Sequence, residues 1–107
     1  MKNLLQELLL THQSVRGVQL KIVKLAVNRL NRLCKRKIEF SVHEDIEDNY
    51  YWIFIPNKVA FVKKVKQLNE QIRKELKDAD AKFNLSFMPQ ATKRNILDRN
   101  VNKEIVF

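Results

Sequence analysis

Few side chains in this sequence could carry covalent chemistry. Cys34 is the one cysteine, and His12 and His43 are the two histidines. A thiol nucleophile needs a base within hydrogen-bond reach. Cys34 falls on the apolar side of a helical pattern and His12 closes a leucine-rich segment, so nothing in their placement pairs them. Glu44, Asp45, Glu47 and Asp48 gather enough carboxylates to suggest a divalent ion. The run lacks the glycine and the distal glutamate of a calcium loop, so it reads as a solvated hairpin. Gly17 is the only glycine, which leaves no means of building a glycine-rich phosphate loop. The expectation is a protein that is not an enzyme, with no cofactor and no metal site.

The cationic residues are more informative. Lys35-Arg36-Lys37 forms a compact triplet, and Lys21, Lys24 and Arg32 lead up to it along one helical face. A second run, Lys63, Lys66, Arg73, Lys74 and Lys77, lies opposite the apolar stripe of a later helix, with Lys64 flanking that stripe. Stripes of this kind track a phosphate backbone without reading bases, and each contact releases condensed counterions. A single charged run is ordinarily no more than a solvated face. Here 21 Lys and Arg stand against 12 Asp and Glu, net +9 with a pI near 9.9, and the acids collect at one hairpin. That balance favours a polyanionic partner. Tyr50, Tyr51 and Trp52 add an aromatic option. Strand alternation puts Trp52 with Tyr50 and Phe54 on one face and Tyr51 with Ile53 and Ile55 on the other, and an exposed aromatic face can stack unpaired bases.

The elements that must position these residues follow from periodicity. Leu4, Leu5, Leu8 and Leu9 predict a short amphipathic helix over residues 2–13, ending near Gly17, which is expected in a left-handed turn between two helices. Val18 to Cys34 is apolar over most of its circumference, with one polar stripe, so that helix needs cover on two sides. Ile38, Phe40 and Val42 alternate with Glu39, Ser41 and His43, which predicts a strand, and the acidic run from Glu44 to Asn49 reads as its turn. Tyr50 to Ile55 predicts a second strand, apolar on both faces, which suits a strand with neighbours on both sides or one exposing an aromatic face for a partner. Val59, Val62, Val65, Leu68, Ile72 and Leu76 predict one long basic helix over residues 57–78. Asp78 to Ala81 breaks it, and Phe83, Leu85 and Phe87 predict a third strand stopped by Pro89.

The fold class read from this order is a small α+β domain: two N-terminal helices, a β-hairpin, a long basic helix, a third strand and a short C-terminal tail. The domain is assigned to residues 1–89 and the tail to residues 90–107. In the tail, Ile96, Leu97, Val101, Ile105, Val106 and Phe107 are spaced to form a short amphipathic helix on a partner's surface. The alternative is that Ile105, Val106 and Phe107 add an edge strand or pack back on the core. A chain of 107 residues with no long Gly, Pro or Ser run has room for one core. The lone cysteine points to the cytoplasm, and no window approaches the ~20 apolar residues of a membrane span.

The order of elements, together with Tyr51-Trp52-Ile53-Phe54-Ile55-Pro56-Asn57-Lys58-Val59-Ala60, Lys64-Val65-Lys66-Gln67-Leu68 and Leu76, resembles the N-terminal domain of the DciA-type bacterial loaders of the replicative helicase. In that family a strand of alternating apolar residues meets a polar break and then a helix with a leucine-rich centre. The strand from Phe83 to Met88 is similar to the family's closing strand. The resemblance covers roughly residues 4–90. It implies a KH-like fold and a non-enzymatic role in DNA replication, binding the replicative DNA helicase and single-stranded DNA, with the C-terminal segment contributing to the helicase contact. Two rival readings use the same residues. A KH-like RNA-binding or ribosome-assembly factor would place the basic faces on RNA, although no Gly-x-x-Gly loop is present. A structural or antitoxin-like protein would use the leucine helix for self-association.

Overall fold

A computed structural model describes residues 16–99 and 102–107. The segment from Tyr50 to Ile55 organises the rest. It is β2, a run of aromatic and β-branched residues, and it lies between β1 (Ser41–Asp45), paired antiparallel, and β3 (Asn84–Pro89), paired parallel. It thus has a strand on either side, as expected. Tyr51, Ile53 and Ile55 are completely buried on the inner face, while Tyr50, Trp52 and Phe54 point to the outer face.

Helices cover the inner face. α1 (Arg16–Cys34) contributes Ile22, Val23, Ala26, Val27 and Leu30 to the core. Residues 57–78, expected as one helix, form two: α2 (Asn57–Ala60) and α3 (Lys63–Asp78). The break falls at Phe61-Val62, where Val62 takes an extended conformation and becomes the residue capping α3. Restarting the helix there lets both Val59 and Val65 reach the core, whereas Val62, expected within the apolar stripe, is 46% exposed and Phe61 is 61% exposed. From Val65 onward the stripe behaves as its spacing predicts, with Leu68, Ile72 and Leu76 buried. The parallel pairing of β2 and β3 needs such a crossover. Asn69 on α3 accepts a hydrogen bond from the Phe87 N–H at 2.9 Å and so satisfies a donor on edge strand β3.

Both long helices end on a left-handed residue that is not glycine. Lys35 (φ 55°) follows α1, with Arg36 N–H donating to Asn31 O at 3.2 Å, and Asp80 (φ 54°) follows α3, with Ala81 N–H donating to Leu76 O at 2.9 Å. These are Schellman closures. Gly17, expected in a left-handed turn, instead lies in the first turn of α1 with no positive φ.

The first strand is displaced from its expected position. It runs from Ser41 to Asp45 and not from Ile38 to His43, so Glu44 and Asp45, expected in the turn, are buried strand residues. Tertiary partners offset their polarity. Arg16 Nη1 pairs with Glu44 Oε1 at 2.8 Å, and Asp45 Oδ1 accepts the N–H groups of Glu47 and Asp48 at 3.1 and 3.2 Å. Asp45 thus heads the turn as an Asx motif, and Asn49 (φ 51°) closes it.

Beyond Pro89 the chain returns to the sheet. A single 3₁₀ turn (Gln90–Thr92) leads into α4 (Lys93–Leu97), and β4 (Asn102–Ile105) pairs antiparallel with β1, giving the strand order β3-β2-β1-β4. The edge-strand alternative is the one realised by residues 102–105. Ile96 and Leu97 are half-buried on α4, Ile105 packs against the core, and Val106 and Phe107 are exposed, so these positions do not share one helix. Val101 and the helix expected over residues 2–13, His12 included, lie outside the described residues. The architecture is a small α+β domain with a four-stranded mixed sheet. Among the described residues no helix is long and apolar enough to cross a membrane.

Candidate nucleic-acid interface

Every cation singled out in the sequence is exposed: Lys21, Lys24, Arg32, Lys35, Arg36 and Lys37 on and after α1, and Lys63, Lys66, Arg73, Lys74 and Lys77 on α3. The fold does not unite them. It distributes them among separate places, and one of these draws on three chain segments.

That place is a groove of about 730 Å³ at the end of the sheet where β1 begins. One wall is α1, with Lys24, Asn28 and Asn31; a second is the connection carrying Lys37 and Phe40; the third carries Lys93 at the start of α4. The C-terminal turn of α1 holds the connection in place. Asn31 Oδ1 accepts the Ile38 N–H at 2.9 Å while Ile38 itself is buried, which seats Lys37 and Phe40 on either side of an anchored residue. Lys93 Nζ donates to Ser41 Oγ at 3.2 Å and lies 5.8 Å from the centre of the Phe54 ring. Lys24 Nζ lies 6.0 Å from the Phe107 ring centre, and Phe107 in turn meets Phe40 with ring centres 6.3 Å apart. The groove thus carries three ammonium groups from three chain segments beside two partly exposed aromatic rings. Among the described residues, Glu39 is the one carboxylate in its lining. Its volume lies within the usual range for ligand sites.

Lys35 and Arg36, which belong with Lys37 in the sequence, form the closure of α1 and do not line this groove. Arg73, Lys74 and Lys77 line a second, smaller depression of about 520 Å³ with Phe83 and Asn84, sharing no residue with the first. Lys66 stands at the opposite end of α3, with Nζ 5.8 Å from the exposed Phe61 ring.

Trp52 is half-buried on the outer face, the side of the sheet away from α1 and α3. It stacks on Tyr50 at 4.2 Å between ring centres, and the Tyr50 hydroxyl is hydrogen-bonded to Ser86 Oγ. Across the sheet Trp52 faces His43, which is 6% exposed and packs edge-on against Phe54. Burial lowers the His43 pKa from its ordinary value, the nearby Lys93 ammonium lowers it further, and Glu104 opposes both. At neutral pH this imidazole is therefore uncharged and adds nothing to the positive field. His43 Nδ1 and Trp52 Nε1 are buried without a hydrogen-bond partner among the described residues.

Lys93, Phe40 and Phe107 carry no signal for nucleic-acid contact in the sequence. Charge counting finds Lys93 only as one cation among many, because its proximity to Ser41 depends on the chain returning to the sheet after Pro89. Phe40 carried a signal in its strand-like alternation, yet it precedes β1 and is 38% exposed. Chemically the groove can neutralise phosphates and offer a ring face to a planar group. Comparison with models of known protein families, with curated proteins and with solved structures finds no match for this chain.

Proposed function

We propose that this chain is a non-enzymatic adaptor that holds single-stranded DNA in the groove formed by Lys24, Lys37 and Lys93 and assists placement of the replicative helicase upon it. The convergence of those three lysines from separate segments carries the DNA part of this reading. A net charge of +9 draws the polyanion in, and three ammonium groups beside partly exposed aromatic rings suit a flexible strand better than a rigid duplex. The helicase part rests on the resemblance to the DciA-type loaders. Its support is the order of helix, hairpin, helical segment and closing strand, which is also the basis for reading the domain as KH-like.

Titration of a labelled oligo(dT) by fluorescence anisotropy at several salt concentrations tests the DNA part. Neutralising about four to six phosphates gives a log-log slope near −3 to −4, at ~0.7 per contact for single strands. Lys24→Ala, Lys37→Ala and Lys93→Ala together should remove about 2 of that slope, since three contacts are lost. The same change at Arg73, Lys74 and Lys77 should have a smaller effect. A slope near zero for the unaltered protein would overturn the electrostatic reading. Co-precipitation with purified replicative helicase tests the second part, and no recovery at low salt would remove it.

A further inference from the structure

We propose that Phe40 and Phe107 form a nucleobase clamp at the mouth of the basic groove: one base of a single strand stacks between the two rings while Lys24, Lys37 and Lys93 hold the phosphates beside it. This rests on the reading of the groove as a DNA site and adds what that reading lacks, a place for the base. Large aromatic side chains are ordinarily buried. Phe40 and Phe107 are 38% and 48% exposed, and they face each other with ring centres 6.3 Å apart and planes inclined by 49°. A base inserted between parallel rings needs about 7 Å, twice the ~3.4 Å spacing of stacked nucleotides. The rings thus require only a small separation and a rotation to parallel.

The surroundings permit that movement. Phe107 follows β4, which ends at Ile105, so its ring turns without breaking a strand pair. The backbone leading to Phe40 is held two residues earlier, where Ile38 is buried and its N–H is bonded to Asn31. One jaw is fixed and the other is free to swing. Lys24 serves both parts of the site, lining the groove and standing 6.0 Å from the Phe107 ring centre, close to where a base and its phosphate would meet.

The test compares oligo(dT) with an abasic oligonucleotide of the same length, which keeps the phosphates and removes the bases. A stacked base adds roughly 1–3 kcal/mol, so the full chain should bind oligo(dT) about fivefold or more tighter than the abasic strand. Phe40→Ala and Phe107→Ala should each bring that ratio towards one while leaving the salt slope unchanged. Phe40→Leu, which keeps a large apolar side chain at that position, should reduce the ratio with native circular dichroism and so separates loss of stacking from loss of fold. An unchanged ratio in both alanine variants, with salt-dependent binding intact, would overturn the clamp and spare the groove. Tighter binding by Phe107→Ala would also overturn it, because Phe107 would then cover the site and not grip within it. Absence of salt-dependent binding to either strand would overturn the reading of the groove and the clamp together.

Discussion

Replacing Tyr51 by Phe should reverse its effect on stability with pH. Tyr51 is completely buried on β2, and its hydroxyl donates to Gln19 Oε1 at 2.8 Å. At neutral pH, losing that hydrogen bond costs about 1 kcal/mol, or roughly 4–8 °C in midpoint. Burial pushes the pKa of the hydroxyl from 10.0 up to about 12, the Glu44 carboxylate adds to the rise and Arg16 opposes it. The folded protein therefore keeps a proton that the unfolded chain has already released. Stability from this group is complete below pH 10 and declines as pH rises from 10 towards 12. At ~1.4 kcal/mol per unit, the loss reaches about 2 kcal/mol near the upper limit, more than the hydroxyl contributes at neutral pH. The stability curves of the wild-type protein and Tyr51→Phe should therefore cross near about pH 11, with the variant the more stable above it. Urea unfolding followed by circular dichroism from about pH 8 to about pH 12 measures this. Lysine deprotonation affects both proteins and cancels in the difference. A difference that stays constant across the range would refute the assignment of Tyr51 as a buried phenol held protonated by its surroundings.

Two further outcomes follow from the backbone. Asp80→Gly should stabilise the fold by about 0.5 kcal/mol, because glycine relieves the left-handed strain that closes α3 and returns only part of it as unfolded-state entropy. Asp80→Ala should destabilise it, and a gain from alanine in thermal melts would contradict the closure described here. Deleting residues 102–107 should lower the melting midpoint by about 10 °C or more, through loss of the pairing to β1 and of Ile105 from the core. An unchanged midpoint would remove β4 from the fold.

β2 and the body of α1 were legible in the sequence because each is locally consistent: Tyr50 to Ile55 has strand preference throughout, and Val18 to Cys34 has a single polar stripe. Where the reading failed, distant partners had decided the outcome. Glu44 and Asp45 look like turn residues until Arg16 and the N–H groups of Glu47 and Asp48 supply partners that make a buried strand tolerable. Val62 fits the helical stripe on spacing alone, but the core admits Val59 and Val65 by breaking the helix between them. Asn102-Lys103-Glu104-Ile105 has almost no strand signal and becomes a strand because β1 offers an unpaired edge. The candidate site divides in the same way. Charge marked Lys24 and Lys37, whereas Lys93 and the Phe40–Phe107 pair exist as a site only because three segments meet.

The pairing of β1 with β4 also governs how the chain leaves the ribosome. Val42 must wait for Ile105, roughly 60 residues later, which at about 5–20 residues per second leaves one flank of β1 bare for several seconds. Until then that flank is a strand edge able to recruit another nascent chain. β1 is poorly suited to such recruitment, because Glu44 and Asp45 lie along it and like charges on an approaching copy would repel. The carboxylates that looked out of place in a strand thus discourage self-association during synthesis. Neutralising them should raise the fraction of newly made protein that aggregates before the last strand arrives.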